Sequence, residues 1–87
     1  MWTPLMRCVT ALFFGPVREV VGAGALTLEV NPPFTGDAAF DALAGRFPAL
    51  RAWRGSLRLA VNREYVPFER VLDAGDEISF LPPVSGG

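Results

Sequence analysis

The sequence predicts an α+β fold: a mixed sheet of about five strands with one main helix packed on one face. Three observations lead there. Five short segments have strand composition, most with apolar residues at every second position. One longer segment places Phe40, Leu43 and Phe47 at helical spacing. The chain has 87 residues, 51% of them hydrophobic, which suits one domain with one core.

The elements follow in order. Residues 7–14 are apolar and read as a first strand, with Val9, Ala11 and Phe13 on one face and Thr10, Leu12 and Phe14 on the other. Gly15-Pro16 breaks it. Pro16 suits a first helical position, and a short helical turn ends at Gly22. Residues 25–30 alternate and form a second strand, stopped by Pro32-Pro33. Thr35 or Asp37 can cap the main helix by accepting from its free N–H groups. Pro48 ends that helix. Residues 49–56 read as a loop or a second short turn, with Trp53 as an anchor to the helix. Residues 57–62 give a third strand with Leu57, Leu59 and Val61 inward. Residues 64–68 give a short edge strand, because Pro67 cannot donate to a ladder. Asp73–Asp76 is a tight polar turn. Residues 77–81 form the last strand, with Ile78 and Phe80 inward and Ser79 and Leu81 outward. A helix after the second strand implies a crossover to the third. This order is that of a β-grasp, or ubiquitin-like, fold. The expected organisation is a flexible extension at 1–5, a domain at 6–81 and an extended tail at 82–87.

Composition narrows the chemistry. A net charge of −1 excludes a strongly basic nucleic-acid module and gives no pull toward anionic membranes. No apolar run is long enough to span a bilayer. There is no histidine, no lysine and a single cysteine. An imidazole base, a Schiff base, a cysteine zinc site and an intrachain disulfide are therefore excluded. No resident metal or cofactor is expected, and the lone thiol fits the cytoplasm. Cys8 lies in a strand and is expected to be a buried structural residue. Arg46, Arg51, Arg54, Arg58 and Arg63 are expected to form a solvated face. So few reactive side chains suit a carrier or binder better than a self-sufficient enzyme.

The end of the chain carries the chemistry. Gly86-Gly87 alone also fits a frayed terminus. Pro82-Pro83 removes two backbone donors and stiffens the chain after the last strand. Val84-Ser85 leads to two residues without side chains, slim enough to thread a narrow channel. The functional group left is the Gly87 α-carboxylate, which reacts as an electrophile only after activation, for example by adenylation. Phe14, Leu12 and Leu81 fall on the strand face away from the helix. Tyr65 can join them in an exposed apolar patch, the usual mark of a partner site. Arg18 could pair with an acidic group of that partner, or simply be solvated.

The segments LFFGPVREVVG at 12–22, AVN at 60–62, DAGDEISFLPP at 73–83 and the ending PPVSGG resemble the small subunit of molybdopterin synthase, a sulfur-carrier family. The likeness covers residues 6–87, with little signal in 31–56. The resemblance implies that Gly87 is adenylated with ATP by an E1-like adenylyltransferase. A sulfur donor, such as a cysteine desulfurase or rhodanese-like protein, then converts it to a thiocarboxylate. It further implies that the tail enters the large subunit and delivers sulfur to cyclic pyranopterin monophosphate, forming the molybdopterin dithiolene. The chain would be a non-autonomous subunit of a sulfurtransferase with two small and two large subunits, the substrate pocket lying on the large one. Its sites would be Gly86 and Gly87 for chemistry, and Phe14, Arg18, Tyr65, Leu81, Pro82, Pro83, Val84 and Ser85 for partner binding. A carrier of another pathway (thiamine or tungsten cofactor), a ubiquitin-like protein modifier, and a plain binding module with an idle tail are the other readings.

Overall fold

A computed structural model of the protein describes residues 7–82. The extension expected at 1–5 and the tail residues Pro83, Val84, Ser85, Gly86 and Gly87 lie outside the described residues. The strands are β1 (Arg7–Leu12), β2 (Ala25–Val30), β3 (Arg58–Val61), β4 (Glu64–Val66) and β5 (Glu77–Leu81). The helices are α1 (Gly15–Val21), α2 (Gly36–Arg46) and a 3-10 helix, Pro48–Ser56.

The sheet order is β2-β1-β5-β3-β4. β1 and β5 run parallel at its centre, and every other pairing is antiparallel. The connection through α2 carries the chain from the β2 edge past β1 and β5 to β3. This is the β-grasp arrangement, with the expected mixed five-stranded sheet.

Strand alternation decides which residues meet the helix. Val9, Ala11, Leu28, Val30, Leu59, Ile78 and Phe80 turn to the α2 side and are buried with Phe40 and Leu43. Phe40 meets Phe80 edge-on at 5.4 Å between ring centroids, and Phe68 stacks on the same ring at 6.0 Å. Phe47, at the end of α2, is partly buried against this core, as is Trp53.

Local chemistry sets the helix ends. Gly22 adopts the left-handed conformation (φ 81°) and its N–H donates to the Arg18 carbonyl at 2.8 Å, closing α1. Thr35 caps α2, its hydroxyl accepting from the Ala38 N–H at 3.2 Å. The Gly36 and Asp37 N–H groups donate to the Arg70 and Phe68 carbonyls at 3.1 and 3.0 Å. The start of α2 is thus satisfied by the chain segment preceding β5. That segment lies so close that Gly36 leaves no room for a Cβ, which would stand 2.9 Å from the Phe68 carbonyl oxygen.

The third strand is shorter than expected, Arg58–Val61 rather than 57–62, and three further details differ. β1 stops at Leu12 rather than residue 14, because Gly15 (φ 54°) turns the chain into α1. Phe13 nevertheless stays buried. β4 ends at Val66, because a turn closed by the Arg70 N–H donating to the Pro67 carbonyl at 3.0 Å takes the chain away from β3. Cys8 is exposed, not buried. It has the parity of Thr10 and Leu12, on the sheet face that no helix covers, so its place in a central strand does not shield it.

Candidate functional site: the uncovered sheet face

The face of the sheet opposite α2 holds a groove of about 390 Å³. Leu12 and Phe14 form one side, and Leu81 and Tyr65 are the other large apolar residues lining it. Ala60 and Ser79 face each other across the β3–β5 pairing and form a low floor. Arg63 and Glu77 complete the lining, with Arg63 Nε 4.0 Å from Glu77 Oε1.

Each wall has a local cause. Phe14 is extended (φ −135°, ψ 154°) at the N-cap of α1 and makes no side-chain cap bond. Its ring is therefore left for the groove, and the residue is 49% exposed. Tyr65 pairs with Ala60 across the β3–β4 hairpin and is 59% exposed. Two large rings so accessible to water on one groove make an apolar patch of the kind partners cover.

The hairpin turn is held from outside. Asn62 and Arg63 both have positive φ (49° and 72°), as a two-residue hairpin turn requires. Asn62 Nδ2 donates to Asp76 Oδ1 at 3.1 Å, and Asn62 Oδ1 accepts from the Glu77 N–H at 3.1 Å. Asp76 Oδ2 in turn accepts from the Asp73 N–H at 2.8 Å. These bonds lock the β3–β4 turn to the start of β5 and fix the Tyr65 side of the groove.

Phe14, at the α1 N-cap, and the strand residues Tyr65 and Leu81 are thus brought together on the open face. Pro82 follows Leu81 and is half-buried. Arg18 is exposed one helical turn beyond Phe14; its guanidinium lies beside Gly24 and does not line the groove. Pro83, Val84, Ser85, Gly86 and Gly87 lie outside the described residues. The expectation for the sites omitted Ala60, Ser79, Arg63 and Glu77. Ser79 was legible from its outward parity. Ala60 was hidden by its place in the apolar run Leu59-Ala60-Val61.

Of the basic residues of 46–63, Arg46, Arg51, Arg58 and Arg63 are exposed and Arg54 is partly buried. Arg51 lies 3.8 Å from Asp41, and Arg54 bonds Asp37 at 2.6 Å. Among the described residues, no cluster of three or more histidine, cysteine, aspartate or glutamate side chains could hold a metal ion. Nor is any helix among them long and apolar enough to cross a membrane.

A model of the ThiS family matches residues 11–87. The molybdopterin synthase sulfur carrier subunit of Haemophilus influenzae is 40% identical over 81 residues, covering 91% of this chain and 99% of that one. SAMP1 from Haloferax volcanii superposes with a TM-score of 0.78 at 30% identity, covering 92% of this chain and 99% of that one. Subunit 1 in a protein–protein complex with subunit 2 of molybdopterin-converting factor, from Helicobacter pylori, gives a TM-score of 0.65 at 27% identity, with 92% and 99% covered.

Proposed function

We infer that this chain, which belongs to the ThiS family, acts as the sulfur carrier subunit of a molybdopterin synthase. The carrying observation is the 40% identity to a relative of that name along almost its whole length. The family match also runs through residue 87.

The chemistry follows from the terminus. The Gly87 carboxylate attacks the α-phosphate of ATP and forms an acyl adenylate, releasing pyrophosphate. The persulfide sulfur of a donor protein then displaces AMP to give an acyl disulfide. Attack of a second thiol on the donor's sulfur breaks the S–S bond, leaving a thiocarboxylate at Gly87 and a disulfide on the thiol side. An E1-like adenylyltransferase supplies the first step, and a cysteine desulfurase or rhodanese-like protein supplies the sulfur. The thiocarboxylate then gives its sulfur to cyclic pyranopterin monophosphate in the large subunit. Gly86, without a side chain, lets this end pass into a narrow channel. The reaction belongs in the cytoplasm, where a lone thiol such as Cys8 stays reduced.

The open sheet face is the docking surface for the large subunit. Phe14, Tyr65 and Leu81 would be its apolar centre, with Arg18 at the rim and Pro82, Pro83, Val84 and Ser85 leading the tail away. A complex between subunits 1 and 2 of molybdopterin-converting factor supports such a partner. Intact-mass measurement after incubation with the activating enzyme, ATP and a sulfur donor tests the carrier role. The expected gain is one sulfur-for-oxygen exchange at Gly87; an unchanged mass would overturn it.

A second reading has its own support, the 30% identity to SAMP1, a small archaeal modifier protein. The same adenylate could pass Gly87 to a lysine amine of another protein. Peptides carrying a Gly86-Gly87 branch on target lysines, found in cell extract, would establish that use.

A further inference from the structure

Beside the open-face groove lies a second cleft, of about 320 Å³, at the β4 edge of the sheet. Tyr65 lines both. The cleft exists because β4 is cut short. Its last pairing is Val66 with Leu59, and Pro67 then carries the chain out of the ladder. Leu57 and Arg58 therefore have no strand on their outer side. Arg58 pairs only inward, with Leu81 of β5.

The backbone there is shaped for a strand. Leu57 is extended (φ −101°, ψ 148°). The two-residue turn makes Val61 and Glu64 a hydrogen-bonded pair, so by alternation Leu59 also bonds toward β4 and Ala60 toward β5. Continued one step, the alternation aims the Leu57 carbonyl past the end of β4. The Leu57 N–H is already used, donating to the Arg54 carbonyl at 3.3 Å. The side chains add two further features. Arg58 is exposed and forms no ion pair among the described residues. Leu57, Val66, Pro67 and Phe68 give the cleft an apolar wall.

We propose that this cleft receives an extended segment of the large subunit, which continues the sheet beyond β4. One of its N–H groups donates to the Leu57 carbonyl. An acidic side chain meets Arg58, and the next residue, pointing to the opposite face, places an apolar side chain against Leu57 and Phe68. The proposal rests on the open face being the docking surface for that subunit, since Tyr65 makes the cleft continuous with the groove. The occupant is acidic and apolar because the cleft offers a cation with no ion pair among the described residues, beside an apolar wall.

Titrating the isotopically labelled chain with the large subunit tests it, with the dissociation constant and backbone amide signals as readouts. Arg58→Glu is expected to weaken binding about tenfold, mainly through slower association, and Arg58→Lys to recover most of that. The amides of Leu57, Arg58 and Phe68 are expected to shift on binding. Phe14→Asp serves as the control for the docking face itself. If Phe14→Asp abolishes binding while Arg58→Glu leaves it unchanged and those amides stay still, the edge proposal alone falls. If Phe14→Asp has no effect, the docking face falls and the edge proposal with it.

Discussion

The guanidinium of Arg54 lies 3.4 Å from the centre of the Phe68 ring. The same group bonds Asp37 Oδ1 at 2.6 Å. One side chain of the 3-10 helix therefore touches both the first turn of α2 and the segment leading to β5. Phe68 itself stacks on Phe80, so the contact continues into the core.

Arg54→Ala is expected to cost about 1–2 kcal/mol, the combined order of a half-exposed cation–π contact and one charge-assisted bond. Arg54→Lys should recover less than half, because an ammonium cannot stack and bond in the same plane. Urea unfolding with a fixed slope would measure both.

Phe14→Asp separates docking from folding. Phe14 occupies the α1 N-cap without capping it, and aspartate is a preferred N-cap residue. Stability is expected to hold or rise by up to about 1 kcal/mol. Binding to the large subunit should fall by about a hundredfold or more, as for a central interface aromatic. Calorimetric titration and a thermal melt on the same variant would check the two together.

Gly36→Ala should destabilise by about 1–3 kcal/mol through overpacking. The added methyl would press on Leu59 and the Phe68 carbonyl, both held by strand and helix-cap bonds. Gly45, with open space around its Cβ position, provides the contrast: Gly45→Ala in the last turn of α2 should stabilise by about 0.5 kcal/mol. Thermal midpoints of the pair would decide.

Deleting Gly87 should leave the thermal midpoint unchanged, since every described sheet pairing lies within residues 7–81. Thiocarboxylate formation should cease. Mass spectrometry of the activated mixture, beside a melting curve, reads out both halves.

Much of this was legible in the strands. Alternation alone put Phe14 and Leu81 opposite Ile78 and Phe80, and the groove follows from that parity. The same rule, applied to Cys8, points to the exposed face; treating it as a buried cysteine relied on residue type over position. What alternation could not reach was contact across a change of chain direction. Arg54 lies in a 3-10 helix and Phe68 in a turn, with no shared period. Phe34 adopts φ 59°, which nothing local to a phenylalanine favours. The cause is tertiary: its N–H donates to the Asn31 carbonyl at 2.9 Å, its carbonyl accepts from Leu72 at 2.6 Å, and its ring lies under Arg7 at 4.2 Å.

The strand that leads to the tail lies inside the sheet, flanked by β1 on one side and β3 on the other. Its mechanical consequence concerns withdrawal from a partner. Force applied beyond Pro82 runs along β5 and loads both flanking ladders in shear, so their bonds resist together rather than opening one at a time. A tail hung from either edge strand would instead peel. A carrier drawn away from a partner by its body is therefore expected to stay folded.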